Sequence, residues 1–297
     1  MGLRPAPDPA PGDPGGLIWG TSLSAPLGIP LPGGLAVVYT CAAPDKPAEA
    51  NEDAAAVLVA EGGVAVLAVA DGAGGMSGGA AAARLTMQAL QARLRDHGGA
   101  GTLREPILAA VESARDRILA LGQGAGATFA AAELSDGHMR PYHVGDAMIL
   151  VTGQRGRVKL QTVSHSPVGY AYEAGLIDEE EAMLHEERHL VSNFVGSADM
   201  HVQVGSETDL APRDTLVIAS DGLFDNLYVE ELTELVRTGP LERCAVRLAE
   251  ACRRRMLGQD PDHPGKPDDL SFILYRRRPA GRVRTARRAA RGGRPGR

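Results

Sequence analysis

Apolar residues in this chain fall into short blocks toward the front and back, with helical spacing between them. The blocks at 35–42, 54–60 and 64–70 are seven or eight residues long, and Gly, Pro, Asp or Glu bound them, as expected of β-strands. Two helices follow. The stretch 77–96 is rich in alanine with few breakers. In 105–121, Ile107, Val111, Ala114 and Ile118 recur at a spacing that gathers them on one helical face. Strands return at 127–134, 139–144, 148–152 and 158–163. A polar, acid-rich insert fills 166–197. A strand at 215–219, helices at 229–237 and 241–257, and a strand at 270–276 complete the series.

The two ends read differently. Residues 1–33 are studded with proline and glycine, among them Pro5, Pro7, Pro9, Pro11, Pro14, Pro30 and Pro32, and are expected to be a flexible or extended lead-in. Leu17, Ile18 and Trp19 are the residues there that can dock on the body. Residues 279–297 are rich in Arg, Gly and Ala and are expected to be a disordered basic tail. The body between them, 34–278, is expected to be one domain without solenoid-period repeats. A chain of 297 residues, 44% of them hydrophobic, can bury one large core.

Charge refines the picture. The net charge of -6 hides ten arginines and no acid in 276–297, so the rest of the chain carries about -16. A body so acidic argues against nucleic-acid binding and suits cations, if the acids cluster. The three cysteines form no Cys-x-x-Cys pair, consistent with a reducing cytoplasm. No secretory leader is expected, and no apolar run approaches the ~20 residues that span a bilayer.

The candidate chemistry lies in where acids meet strands. Glu52 and Asp53 precede the strand at 54–60, and Asp71-Gly72 follows the one at 64–70. The three residues between these strands suit a hairpin, so Asp53 and Asp71 should meet at one sheet edge. Near the C-terminus Asp221-Gly222 follows one strand and Asp268-Asp269 precedes another, so antiparallel pairing would join them as well. A single Asp-Gly after a strand is a turn. Four strand ends each carrying a carboxylate point to hard divalent cations, because clustered carboxylates repel one another and Mg²⁺ and Mn²⁺ prefer oxygen ligands. The glycines let a backbone carbonyl approach such an ion.

The same residues resemble the motifs of the metal-dependent protein phosphatases (PPM, type 2C). Asn51-Glu52-Asp53-Ala54, Asp71-Gly72-Ala73-Gly74-Gly75, Gly126-Ala127-Thr128, Gly145-Asp146-Ala147, Ser220-Asp221-Gly222-Leu223-Phe224-Asp225 and Lys266-Pro267-Asp268-Asp269-Leu270-Ser271 occur in the family's order. The segment 173–182, with His185 and Arg188 after it, resembles the flap of bacterial members. The resemblance implies an α+β fold, a four-layer α/β/β/α sandwich of two antiparallel sheets with helices on both outer sides. It also implies hydrolysis of phosphoserine and phosphothreonine through two Mn²⁺ or Mg²⁺ ions that activate a water. Asp71 would bridge the ions, with the Gly72 carbonyl, Asp221 and Asp268 as further ligands. Glu52 and Asp53 would bind them directly or orient their waters, and Asp146 would hold a third ion, with His189 as a nearby helper. The catalytic set is then Asp53, Asp71, Asp221 and Asp268. The implied partner is a phosphorylated protein, with the enzyme opposing a serine/threonine kinase.

The sequence also departs from the family. Ala48 stands where the family often has a phosphate-binding Arg, which leaves Lys46 as the nearby candidate, without Arg's bidentate fork. Ala73 replaces a His of eukaryotic members. Asp269 replaces an Asn and is expected to add negative charge at the ions. His143, His165 and His185 are expected to pack rather than catalyse. Two other readings compete. One is a catalytically weak regulator of the same fold that binds a phosphoprotein. The other is a GHKL-type ATPase, whose Asp-x-Gly-x-Gly loop 71–75 fits only loosely because Ala73 stands at its first Gly.

Overall fold

The computed structural model describes residues 17–19, 21–73, 78–97, 101–122 and 124–278. The basic tail beyond residue 278, and lead-in residues 1–16, lie outside them.

Among the described residues, thirteen strands build two antiparallel sheets. In chain order they are β1 (Leu17–Trp19), β2 (Leu27–Leu31), β3 (Gly34–Cys41), β4 (Ala54–Val59), β5 (Ala65–Ala70), β6 (Phe129–Ser135), β7 (His138–Val144), β8 (Met148–Thr152), β9 (Val158–Gln161), β10 (Gln203–Val204), β11 (Thr208–Asp209), β12 (Thr215–Ala219) and β13 (Leu270–Arg277). The first sheet runs β1-β4-β5-β6-β7-β10, with β11 also on β7, and the second runs β2-β3-β13-β12-β8-β9. The helices are α1 (Gly79–Asp96), α2 (Arg104–Leu119), α3 (Pro167–Glu173), α4 (Glu179–Leu184), α5 (Asp221–Phe224), α6 (Val229–Val236) and α7 (Leu241–Met256).

Alternate residues of each central strand serve different cores. On β4 and β5, Ala54, Ala56, Val66 and Ala68 face α1 and α2 and pack with Met87, Leu90, Ile107 and Ile118. The intervening Ala55, Val57, Leu67 and Val69 meet Val38, Ile218 and Ile273 of the second sheet. Val37, Val217, Phe272 and Leu274 point the other way, onto Leu232, Cys244 and Leu248 of α6 and α7. These are the four expected layers. A strand covered on both faces reads in sequence as an unbroken apolar run rather than an alternation.

The lead-in differs from expectation. Residues 27–31 pair with β3 through a two-residue turn at Pro32-Gly33, with Leu31 opposite Gly34. Proline is tolerated there because β2 is an edge strand. The backbone of 17–19 docks on 54–56, as the three apolar residues suggested. The insert at 166–197 also contains two short capped helices. Ser166 Oγ accepts from the Gly169 N–H at 2.9 Å. Asp178 and Glu181 form a reciprocal capping box at 2.9 and 3.0 Å.

Candidate metal centre

Strand register brings the acids together. Ala54 lies opposite Ala70, so Asp53 and Asp71 end at the same edge of the first sheet. Ala219 lies opposite Phe272, which places Asp221, the first residue of α5, near Asp268 on the facing edge of the second. Asp146 enters from the turn between β7 and β8. Gly145 has φ +92° there, and a Cβ on it would lie 2.7 Å from the Thr128 side chain. The peptide that precedes Asp146 is also fixed by His165, whose Nδ1 accepts from the Gly145 N–H at 3.2 Å while its Nε2 donates to Gln203 Oε1 at 2.9 Å. His165 therefore packs as expected, and its packing positions an acid. Gly72 is set by a closer approach still, since a Cβ there would fall 2.3 Å from the Gly79 carbonyl carbon at the start of α1.

Asp53 is buried. Its Oδ2 accepts from Ser220 Oγ at 3.0 Å, and Ser220 Oγ in turn accepts from the Ser271 N–H at 3.1 Å. Thr40 Oγ1 accepts from Ser271 Oγ and from Asn51 Nδ2, both at 2.7 Å. This hydroxyl network ties β3, β12 and β13 to the start of β4. Among the described residues Asp53 Oδ1 and Asp146 Oδ1 are buried without a hydrogen-bond partner, a costly state for a carboxylate oxygen unless a cation faces it.

The acids hold one another's protons. Burial, then the charges of Asp269 and Asp221, push the Asp53 carboxyl up to about 8. Burial and the fields of Asp53, Asp221, Asp146 and Asp268 push Asp71 well above the usual carboxylate range. Asp146 rises through burial, Asp221 and Asp225. Asp268 and Asp225 are each raised to about 6, by burial first and Asp221 second. Among the described residues no three acid, His or Cys side chains close on one point as a finished metal cage. Asp221, Asp225 and Asp268 close instead on the ammonium of Lys266, at 2.7, 2.8 and 3.0 Å.

Three sequence expectations need correction. Asp269 does not face the cluster as a free ligand, because its Oδ1 accepts from the Ala43 N–H at 2.8 Å and its Oδ2 from the Glu52 N–H at 2.7 Å. It is a buried brace between β13 and the 43–52 loop. Lys46 spends its charge on Glu52 and Asp269, at 3.5 and 3.3 Å. His189 is exposed, and Arg188 rather than His189 lines the cleft of about 470 Å³ shared with Asp146, Asp221 and Asp225. The sequence reading assigned no role to two residues of the cluster, Asp225 and Lys266. Asp225 had a signal, since it stands one helical turn after Asp221 and so shares its face. Lys266 had none beyond its place two residues before Asp268.

Known proteins match both the sequence and the fold. Residues 46–255 match the family model described as Protein phosphatase 2C. A putative protein phosphatase 2C-type protein of Streptococcus pyogenes is 31% identical over 186 residues, which cover 59% of this chain and 73% of that one. The structure of the S. agalactiae serine/threonine phosphatase superposes with a TM-score of 0.70 at 25% identity, covering 81% of this chain and 98% of that one. The catalytic domain of the serine/threonine phosphatase PstP, in complex with two manganese ions, shares the fold with a TM-score of 0.65 at 23% identity, covering 82% and 98%.

Proposed function

The chain belongs to the protein phosphatase 2C family, and from that premise we propose that it hydrolyses phosphoserine and phosphothreonine in other proteins with the help of Mn²⁺ or Mg²⁺. One observation carries the reading. Five aspartates from both sheets, Asp53, Asp71, Asp146, Asp221 and Asp268, converge, and two of them keep buried, unpartnered oxygens. That donor set fits hard divalent cations: all oxygen and densely negative, with the ammonium of Lys266 reaching only Asp221 and Asp268 of the five. The ATPase reading is not favoured by the family assignment.

In this proposal Asp71, Asp221 and Asp268, with the Gly72 carbonyl, hold the ions. Asp146 holds a further ion from the β7–β8 turn. Bound divalent cations supply Lewis acidity, lowering the pKa of water and compensating charge on the phosphoryl oxygens. Asp53, fixed by Ser220, and Glu52, fixed through its backbone by Asp269, orient water at the cluster. Arg188 in the cleft is the positive group a phosphate dianion would meet, since the charge of Lys46 is already engaged by Glu52 and Asp269. Ala48 supplies none. The flap carries Arg188 to the rim and is fastened to the body where Glu179 Oε1 accepts from the Val229 N–H at 2.7 Å. No described helix is long and apolar enough to cross a membrane. A cytoplasmic site of action against the products of a serine/threonine kinase is part of the proposal. The deciding assay uses a phosphothreonine peptide with Mn²⁺, with EDTA, and with Mn²⁺ restored. Turnover that follows the metal is expected. A peptide left intact at saturating Mn²⁺ would leave the regulator reading in its place.

A further inference from the structure

Lys266 sits where the proposed metal ligands meet. Its three carboxylate contacts, at 2.7 Å to Asp221 Oδ2, 2.8 Å to Asp225 Oδ2 and 3.0 Å to Asp268 Oδ2, can occupy all three N–H bonds of the ammonium. Its backbone is fixed as well. The buried Asn226 donates from Nδ2 to the Lys266 carbonyl and accepts on Oδ1 from the Lys266 N–H, both at 2.9 Å. Asn226 Nδ2 also donates to the Gly222 carbonyl at 3.0 Å, so one buried residue sets the lysine relative to α5. Burial works against the charge, but the fields of the three aspartates outweigh it and the ammonium is held protonated. Of 31 Lys and Arg residues in the chain only three are lysines, and Lys266 is the one that pairs with Asp221, Asp225 and Asp268, whereas Lys46 pairs with Glu52 and Asp269. An ammonium is a compact point charge on a flexible stem, unlike the planar guanidinium used almost everywhere else in the chain.

The geometry points to Lys266 as a tethered counter-cation: it neutralises Asp221, Asp225 and Asp268 while no divalent ion is bound, and it must swing out before Asp221 and Asp268 can hold one. This inference rests on the metal-dependent reading of the site. The same carboxylate oxygens cannot serve the ammonium and a metal ion at full strength together. Breaking three charge-assisted contacts is therefore subtracted from the metal's binding free energy. The side chain is 20% exposed, so its head has a way out to water. Lys266 thus raises the cation concentration at which the cluster loads, and it keeps the metal-free protein from carrying three unscreened charges.

The test is a Mn²⁺ titration of the EDTA-stripped full chain by calorimetry. Lys266→Met keeps the stem and removes the charge. It is expected to bind Mn²⁺ about tenfold more tightly or better, and to melt at a lower temperature than wild type when metal-free. Lys266→Arg keeps the charge and is expected to bind no more tightly than wild type. A Lys266→Met protein that binds Mn²⁺ no better than wild type overturns the role of the lysine. If neither it nor the wild type binds Mn²⁺, the metal-dependent reading falls with it. A second measurement needs no variant: limited acetylation read by mass spectrometry. Lys159, paired with Asp214 at 2.5 Å on the edge strand β9, is the internal reference. Lys266 is expected to be shielded without metal and to gain reactivity relative to Lys159 when Mn²⁺ is added. Equal reactivity in the two states also overturns the proposal.

Discussion

Carboxylates gathered at one site repel one another, so each aspartate in this cluster trades stability for affinity. Asp71 shows the trade best, because its carboxyl feels Asp53, Asp221, Asp146 and Asp268 together. Asp71→Asn removes a ligand and a repulsion at once. We expect it, and Asp221→Asn, to lower Mn²⁺-dependent turnover by roughly 100-fold or more while circular dichroism shows the fold intact. Near-wild-type turnover in either variant at saturating Mn²⁺ would discard the assigned ligand set. Asp146→Ala should retain turnover but raise the Mn²⁺ needed for half-activity, and an unchanged requirement would deny Asp146 a metal. At this scale the sequence revealed the acids better than their orientation. Asp53, Asp71, Asp221 and Asp268 were legible because apolar strands fix where their ends fall. Asp269 was misread because strand position cannot show whether a carboxylate turns toward an ion or back onto amides. Lys266 carries no such signal, because two of its three partners, Asp221 and Asp225, lie more than forty residues before it and only the fold brings them to the ammonium.

Asp269 acts at the scale of elements. It is 4% exposed and satisfies two backbone N–H groups 226 and 217 residues earlier in the chain, joining the start of β13 to the loop before β4. In Asp269→Ala those amides lose their acceptor, at a cost of about 1–3 kcal/mol for each buried group. We expect stability to fall by about 3 kcal/mol in urea, with Asn at this position recovering part of it through one carbonyl oxygen. A loss under 0.5 kcal/mol, the scale of an ordinary surface change, would mean that water replaces the brace. The long strands and helices were legible within one or two residues, since their apolar runs and helical spacing are strong signals. The edge strand β2, the two-residue strands β10 and β11 and the flap helices were not. Their pattern is too short to show, and proline and glycine around β2 suggest an unstructured chain until the partner β3 is in place.

Across the whole molecule the raised carboxyls predict how stability follows pH. In the folded, metal-free protein Asp225 and Asp268 titrate at about 6 and Asp53 at about 8, against 3.8 without the fold's influence. The folded state therefore binds protons that the unfolded chain has released, and stability declines as pH rises through this window. With EDTA present, the urea midpoint should fall between about pH 5 and about pH 8.5. Saturating Mn²⁺ should abolish or reverse that slope, since metal binds only the folded state. A flat profile in EDTA would mean that the cluster is screened by something other than protons.

The position of β13 has a consequence for synthesis. It lies inside the second sheet, between β3 and β12, yet it follows both of them and every other described strand in the chain. Until residues 270–277 leave the ribosome, β3 and β12 present bare hydrogen-bonding edges and apolar faces, the surfaces through which nascent chains aggregate. Pairing partners so far apart along the chain also make closure slow. Asp268 arrives with that same strand. The growing polypeptide can hold Asp53, Asp71, Asp146 and Asp221 and still have no complete cluster until Asp268 is made. Any catalytic capacity therefore arises in one step, when β13 inserts between β3 and β12, and a chaperone that shields the gap would delay activity as well as aggregation.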